Sequence, residues 1–179
     1  MNEIEGWIKE AKKVKSPNFS KRLIQAEISL IVIHGISLPP GMYGSENIDK
    51  FFLNKLDPSE HDYFKEISNL KVSSHFLIER SGALKQYVSI HDKAWHAGVS
   101  RFKDQEECND FSIGIELEGT DSTKYEIDQY EKLIDISNVL MQNYPLITKE
   151  RIVGHSDISP KRKTDPGKLF DWNYFKSKI

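Results

Sequence analysis

Residues 28–33 read Ile-Ser-Leu-Ile-Val-Ile. A run this rich in β-branched residues does not alternate, so it leaves no face for water; it reads as a strand buried on both sides. A strand of that kind needs layers packed over it, and the rest of the chain supplies them. Residues 111–118 alternate apolar and polar as a second strand. Residues 73–79 and 84–90 flank Arg80-Ser81-Gly82, a hairpin signal with a glycine in the turn. Residues 151–154 give a short strand leading into His155. Helical spacing of apolar residues predicts helices over 1–15, 46–55, 126–143 and 171–178, with Ser16-Pro17 and Tyr144-Pro145 as stops. Residues 56–70 read as irregular and 156–170 as a polar loop. Interleaved strands and helices predict an α/β (α+β mixed) fold: one domain over residues 1–179, with a central mixed β-sheet packed by helices.

Composition narrows what such a domain does. The 179 residues carry 25 Lys+Arg against 27 Asp+Glu, a net charge of −2. That balance recommends neither nucleic acid nor an anionic membrane as partner. The longest apolar run is about four residues, far short of the ~20 that a membrane helix needs. The acidic start, Met1-Asn2-Glu3, has no basic or apolar leader, so a cytoplasmic location is expected. Cys108 is the one cysteine, which excludes an internal disulfide. Its acidic neighbours Glu106 and Glu107 make it a poor nucleophile.

Chemistry gathers around strand ends. His34 directly follows 28–33 and His155 directly follows 151–154, positions where a rigid sheet holds functional loops. Two imidazoles there can converge on one metal, with Asp157 or Asp165 as third ligand. A His2Asp set with an open fourth position is the catalytic type of zinc site. Asp165 precedes Pro166 and is biased to extended backbone, in which Lys163 and Asp165 point the same way. On the 111–118 strand, Ser112, Gly114, Glu116 and Glu118 share one face. The two small residues leave room for a ligand, and burial would suit either glutamate to general-base work. Spacing does not choose between them. Trp95 and His96 stand among small residues in Ala94-Trp95-His96-Ala97-Gly98 and suit a binding wall. Lys161-Arg162-Lys163 is a short basic run of the usually solvated kind, and there is no Gly-rich phosphate loop.

These pieces together resemble the AmpD family of zinc amidases, which cut 1,6-anhydro-N-acetylmuramoyl peptides during cell-wall recycling. The stretches that carry the resemblance are IVIHGISLPPG (31–41), VSSHFLIERSG (72–82), AWHAGVS (94–100), CNDFSIGIELEGTD (108–121) and GHSDISPKRKTDPG (154–167). The resemblance implies a peptidoglycan recognition protein-like mixed sheet, with Zn2+ bound by His34, His155 and Asp165. It implies Glu116 as acid/base and Lys163 as the residue that stabilises the oxyanion. It also implies Trp95 on the saccharide side, His96 behind the ligands or against substrate, and Asp157 as a loop residue. Three positions depart from the family's habit. Gly35 stands where Asn is usual, Lys71 replaces an Arg linked to the acidic stem peptide, and Glu107 reverses a second such charge. A monomer acting on a small soluble muropeptide is expected, in a site walled by residues 35–45 and 56–70. The rival readings are a muropeptide-binding module without catalysis and a lytic amidase acting on intact cell wall.

Overall fold

The computed structural model describes every residue except Ile24. The chain opens with three two-residue strands, β1 (Glu3–Ile4), β2 (Trp7–Ile8) and β3 (Lys12–Lys13), followed by β4 (Phe19–Lys21). The long strand β5 (Leu30–Ile36) comes next, then the short helices α1 (Asn47–Phe52) and α2 (Asp62–Ile67). Strands β6 (Phe76–Ile78), β7 (Leu84–Gln86), β8 (Asp92–Ala94), β9 (Arg101–Phe102) and β10 (Gln105–Glu106) lead to β11 (Ser112–Glu118). Helix α3 (Ile127–Asn143), strand β12 (Ile152–Gly154) and helices α4 (His155–Ile158) and α5 (Trp172–Lys178) complete the order.

The main sheet has six strands in the order β12-β5-β11-β6-β7-β3. All neighbours run parallel except the β6–β7 hairpin. This is the mixed sheet that the alternation of elements predicts. Period-two geometry then sorts its residues. Ile31 and Ile33 of β5 and Ile113, Ile115 and Leu117 of β11 pack with Leu133, Ile136 and Leu140 of α3 and Phe175 of α5. Truncating one of these, such as Leu133 to Ala, costs about 2–5 kcal/mol. The other face is divided. Leu30 and Val32 join Cys108, Phe111 and Ile158 in one apolar cluster. Leu77 and Tyr87 join Ile48, Phe51, Phe52 and Phe64 of α1 and α2 in another. The polar strand ends open between these two clusters.

The predicted helix over 1–15 is not formed. Glu5 (φ 53°) and Gly6 (φ 80°) turn the chain into the β1–β2 hairpin, the positive-φ pair that a two-residue turn requires. Buried Gln86 supplies what a helix would have given: its Oε1 accepts from Ile8 N (2.8 Å) and its Nε2 donates to Gly6 O (2.8 Å). The 56–70 stretch, read as irregular, contains α2, capped by His61 Nδ1 accepting from Tyr63 N at 3.0 Å. The predicted 156–170 loop begins inside α4. β5 runs on through Ile36, so His34 lies within the strand rather than after it.

Arg22 ties the opening segment to the sheet. Its half-buried guanidinium donates to the carbonyls of Ile90, Asn109, Asp110 and Ser112 at 2.8–3.1 Å. Burial lowers its pKa to about 10, which leaves it charged at neutral pH.

Candidate active site

Parallel register aligns His34 of β5 with Glu116 of β11. Gly154 of β12 aligns with Ile33, so the next residue, His155, falls level with His34. Three adjacent strands therefore place two imidazoles and a carboxylate in one row on the α1–α2 face. Asp165 arrives from the loop after α4. Its backbone carbonyl accepts from Ser156 N (3.0 Å), and the next carbonyl, Pro166 O, accepts from Tyr125 Oη (2.9 Å). Gly35 makes room for that contact: a Cβ there would lie 2.5 Å from the Tyr125 hydroxyl.

His34 Nδ1 and His155 Nδ1 lie 2.9 Å apart, and Asp165 Oδ2 is 3.1 Å from each. His155 Nε2 donates to Ala97 O at 3.0 Å, so its Nδ1 presents a lone pair to this triangle. Burial draws the His34 pKa down to about 4 against the opposing pull of Asp165, which keeps the ring neutral. Burial alone would raise Asp165, but the two imidazoles it faces outweigh that and hold the carboxyl well below the usual range. Two imidazole nitrogens and one carboxylate oxygen, this close and facing one another, call for a cation. The N2O donor set with room for a fourth ligand fits zinc. Among the described residues this is the one group of three such side chains whose donor atoms lie close enough, within 4.8 Å of one another, to hold a metal ion.

The triangle opens into a cleft of about 640 Å3 that also takes in Glu116, Trp95 and Lys163. Glu116 is 8% exposed, and its Oε2 finds no partner among the described residues. Burial and the charge of Asp165 push its pKa well above the usual glutamate value, while Lys163 pulls it partly back. Glu118, the alternative left open by spacing, lies outside the cleft. Its Oε1 accepts from Gly44 N (2.7 Å) and its Oε2 from Arg80 N (3.2 Å).

The remaining candidates fall in different places. Trp95 is half-buried on the cleft wall, and its Nε1 donates to Ser20 Oγ (3.1 Å), which leaves its rings for a ligand. Leu38 and Pro40 of the loop after β5, Phe51 and Phe52 of α1 and Ile67 of α2 add an apolar wall, so both 35–45 and 56–70 border the site. Lys71 is exposed between Leu70 and Val72; those two line the cleft and Lys71 does not. Asp157 accepts from Gly154 N (2.7 Å) at the start of α4 and is no part of the triangle. Arg162 is not simply solvated as the basic run suggests. It donates to Ala97 O (2.6 Å) and Val99 O (3.0 Å) beside the cleft. Cys108 is buried, and burial more than its acidic neighbours raises the thiol.

The space left by Gly114 is already filled. A Cβ there would meet the His96 ring at 2.5 Å. His96 is buried on that seat, with Nδ1 2.9 Å from His34 Nε2 and Nε2 3.2 Å from Ser112 Oγ. Both ring nitrogens are thus engaged by protein, and burial holds its pKa well below the ordinary value. The ring thus packs behind the ligand His34 and also borders the cleft. Tyr125 had no local signal at all, since its partner lies 41 residues away.

A mixed sheet that gathers two histidines, an aspartate and an unpaired buried glutamate in an open cleft defines a metal-dependent hydrolase. The chain belongs to the N-acetylmuramoyl-L-alanine amidase family, whose sequence model matches residues 24–168, and within it to the AmpD branch. It is 53% identical over 175 residues to the 1,6-anhydro-N-acetylmuramyl-L-alanine amidase AmpD of Haemophilus influenzae, spanning 98% of this chain and 95% of that protein. The crystal structure of a selenomethionine AmpD derivative superposes with a TM-score of 0.97 at 48% identity, covering 100% of this chain and 99% of that one. The amidase AmiD of Escherichia coli, in complex with anhydro-N-acetylmuramic acid-L-Ala-D-γ-Glu-L-Lys, matches with a TM-score of 0.63 at 28% identity, over 88% of this chain and 60% of that one.

Proposed function

We propose that the chain is a zinc-dependent amidase acting in cell-wall recycling. It hydrolyses the bond between the lactyl carbonyl of 1,6-anhydro-N-acetylmuramic acid and the nitrogen of L-Ala in soluble muropeptides. The observation that carries this is the meeting, in one cleft, of three converging donor atoms with an unpartnered buried glutamate and a lysine. The names of the AmpD relatives support the same reaction. His34, His155 and Asp165 hold the metal. A bound zinc ion polarises the carbonyl and makes water more acidic.

Glu116 removes a proton from the attacking water, whose oxygen bonds to the lactyl carbonyl carbon while the carbonyl electron pair moves to oxygen. The positive Lys163 stabilises that oxyanion, a charge that develops mainly in the transition state. As the C–N bond breaks, Glu116 gives its proton to the departing nitrogen. The products are a lactyl carboxylic acid, which gives up its proton at neutral pH, and a free L-Ala amine. The raised pKa of Glu116 serves both halves, since the group must accept a proton and then return it. Trp95 offers its ring face to the terminal sugar, and Lys71 on the rim attracts the acidic stem. Among the described residues no helix is long and apolar enough to cross a membrane. We place the enzyme in the cytoplasm, as a single-domain monomer.

The test compares kcat/KM on anhydromuramoyl peptides, reducing-end muropeptides and intact sacculi, with zinc per chain measured on the same protein. The expected result is about one zinc per chain and a clear preference for the anhydro sugar. Lys71→Ala should raise KM for tri- and tetrapeptide stems more than for a bare L-Ala stem. Full turnover after exhaustive chelation would overturn the zinc reading. Equal or faster digestion of sacculi would make the protein a lytic amidase.

A further inference from the structure

We infer that His96 and Ser112 form a hydrogen-bond relay that fixes the tautomer of His34, and so sets how tightly the metal is held. The inference rests on the zinc reading above and extends it to two residues outside the ligand set. The direction of each bond follows from the carbonyl at the far end. Ser112 Oγ lies in very close contact with Cys108 O, and two oxygens at that range need a proton between them. The carbonyl has none to give, so the hydroxyl donates its one proton there. Ser112 Oγ is then an acceptor toward His96 Nε2, 3.2 Å away, which must carry the N–H. A neutral imidazole has one ring proton, so His96 Nδ1 is a lone pair. It accepts from His34 Nε2 at 2.9 Å. His34 therefore keeps its proton on Nε2 and turns a bare Nδ1 to His155 Nδ1 and Asp165 Oδ2.

The reverse order fails at both ends. If Ser112 donated to His96, Cys108 O and Ser112 Oγ would face each other as two bare acceptors. His34 would then carry its proton on Nδ1, pointing into the place where a cation must sit. The relay also has a built seat. The absent side chain at Gly114 is what lets the His96 ring lie against β11 within reach of His34. Outer partners that orient a ligating histidine are worth about 10- to 100-fold in metal affinity. His96 and Ser112 are positioning residues, with no contact to substrate required.

The experiment has two arms. In the first, long-range 15N–1H NMR of the histidine rings in the wild-type protein reads which nitrogen is protonated. His96 and His34 should both be Nε2–H, and a proton on Nδ1 of His96 overturns the relay. The second arm measures Zn2+ affinity by competition with a chromophoric chelator, together with the visible spectrum of the Co2+-substituted protein. Ser112→Ala and His96→Ala should weaken Zn2+ by about 10- to 100-fold and shift the Co2+ bands. Gly114→Ala, which removes no polar group, should do the same by displacing His96. Ser112→Thr keeps the hydroxyl and should recover most of the affinity. Unchanged affinity and spectrum in Ser112→Ala and His96→Ala would overturn the relay while leaving the zinc site standing. A wild-type protein that binds no Zn2+ would instead sink the reading on which the relay rests.

Discussion

Glu116 and Glu118 stand two residues apart on one face of one strand, and both are buried, at 8% and 2% exposure. They differ in company. Glu118 is bonded by Gly44 N and Arg80 N and staples the loop after β5 to the β6–β7 turn. Glu116 leaves Oε2 without a partner in an open cleft beside Lys163. Satisfied, a buried carboxylate is a brace; left unpaired, it is a costly group that the fold retains for chemistry. Burial and sequence position are nearly the same for the two, so hydrogen bonding is what separates their roles.

Substitutions sharpen this contrast, beginning with the largest effect. Glu116→Ala should lower kcat by about 10²–10⁴-fold with zinc content unchanged. If Glu118→Ala proves more damaging per folded molecule, the contrast is reversed. Lys163→Ala should lower kcat by about 10²-fold, and kcat more than it raises KM. It also removes the positive charge that draws the Glu116 pKa down, so the acidic limb of kcat/KM should move to higher pH. A pure KM effect would reassign Lys163 to ground-state binding.

Glu118→Ala should cost about 2–3 kcal/mol of stability in chemical denaturation, with kcat of the folded fraction little changed. The last substitution is Glu116→Gln in metal-free protein. Its pKa is raised on folding, so the unfolded chain loses its proton first as pH climbs past 4.5. The native carboxyl then weakens the fold increasingly up to its own raised pKa, by at most about 1.4 kcal/mol per pH unit. The glutamine variant should be more stable than wild type at neutral pH, and that gain should vanish below the ordinary glutamate pKa. A gain independent of pH would show that Glu116 ionises normally.

What the sequence revealed divides along the same line between local and distant causes. The 28–33 run announced a doubly covered strand because its cause is its own composition. His34, His155 and Asp165 were legible as candidates because strand ends and a Pro-restricted backbone are local signals. The choice between Glu116 and Glu118 was not legible from spacing, because Arg80 and Gly44, which silence Glu118, lie 38 and 74 residues away. The same holds for the opening hairpin, whose partner Gln86 is 78 residues from Ile8. Gly114 did signal empty space, but only tertiary packing shows that a histidine takes it. Helix α2 escaped notice because it buries a single residue, Phe64, where the equally short α1 buries Ile48, Phe51 and Phe52.

The Arg22 clamp bears on how this catalytic unit can be excised or grafted. The family's sequence model matches residues 24–168. A fragment trimmed to those limits would discard the guanidinium that gathers four carbonyls around β8 and β11, together with Phe170 and Phe175 of the main core. The four orphaned carbonyls include that of Ser112, whose hydroxyl reaches His96. Trimming would thus leave every zinc-site residue in the chain and still loosen the scaffold behind them. For anyone transplanting this activity into another protein, the transferable module is larger than the stretch that the family model matches.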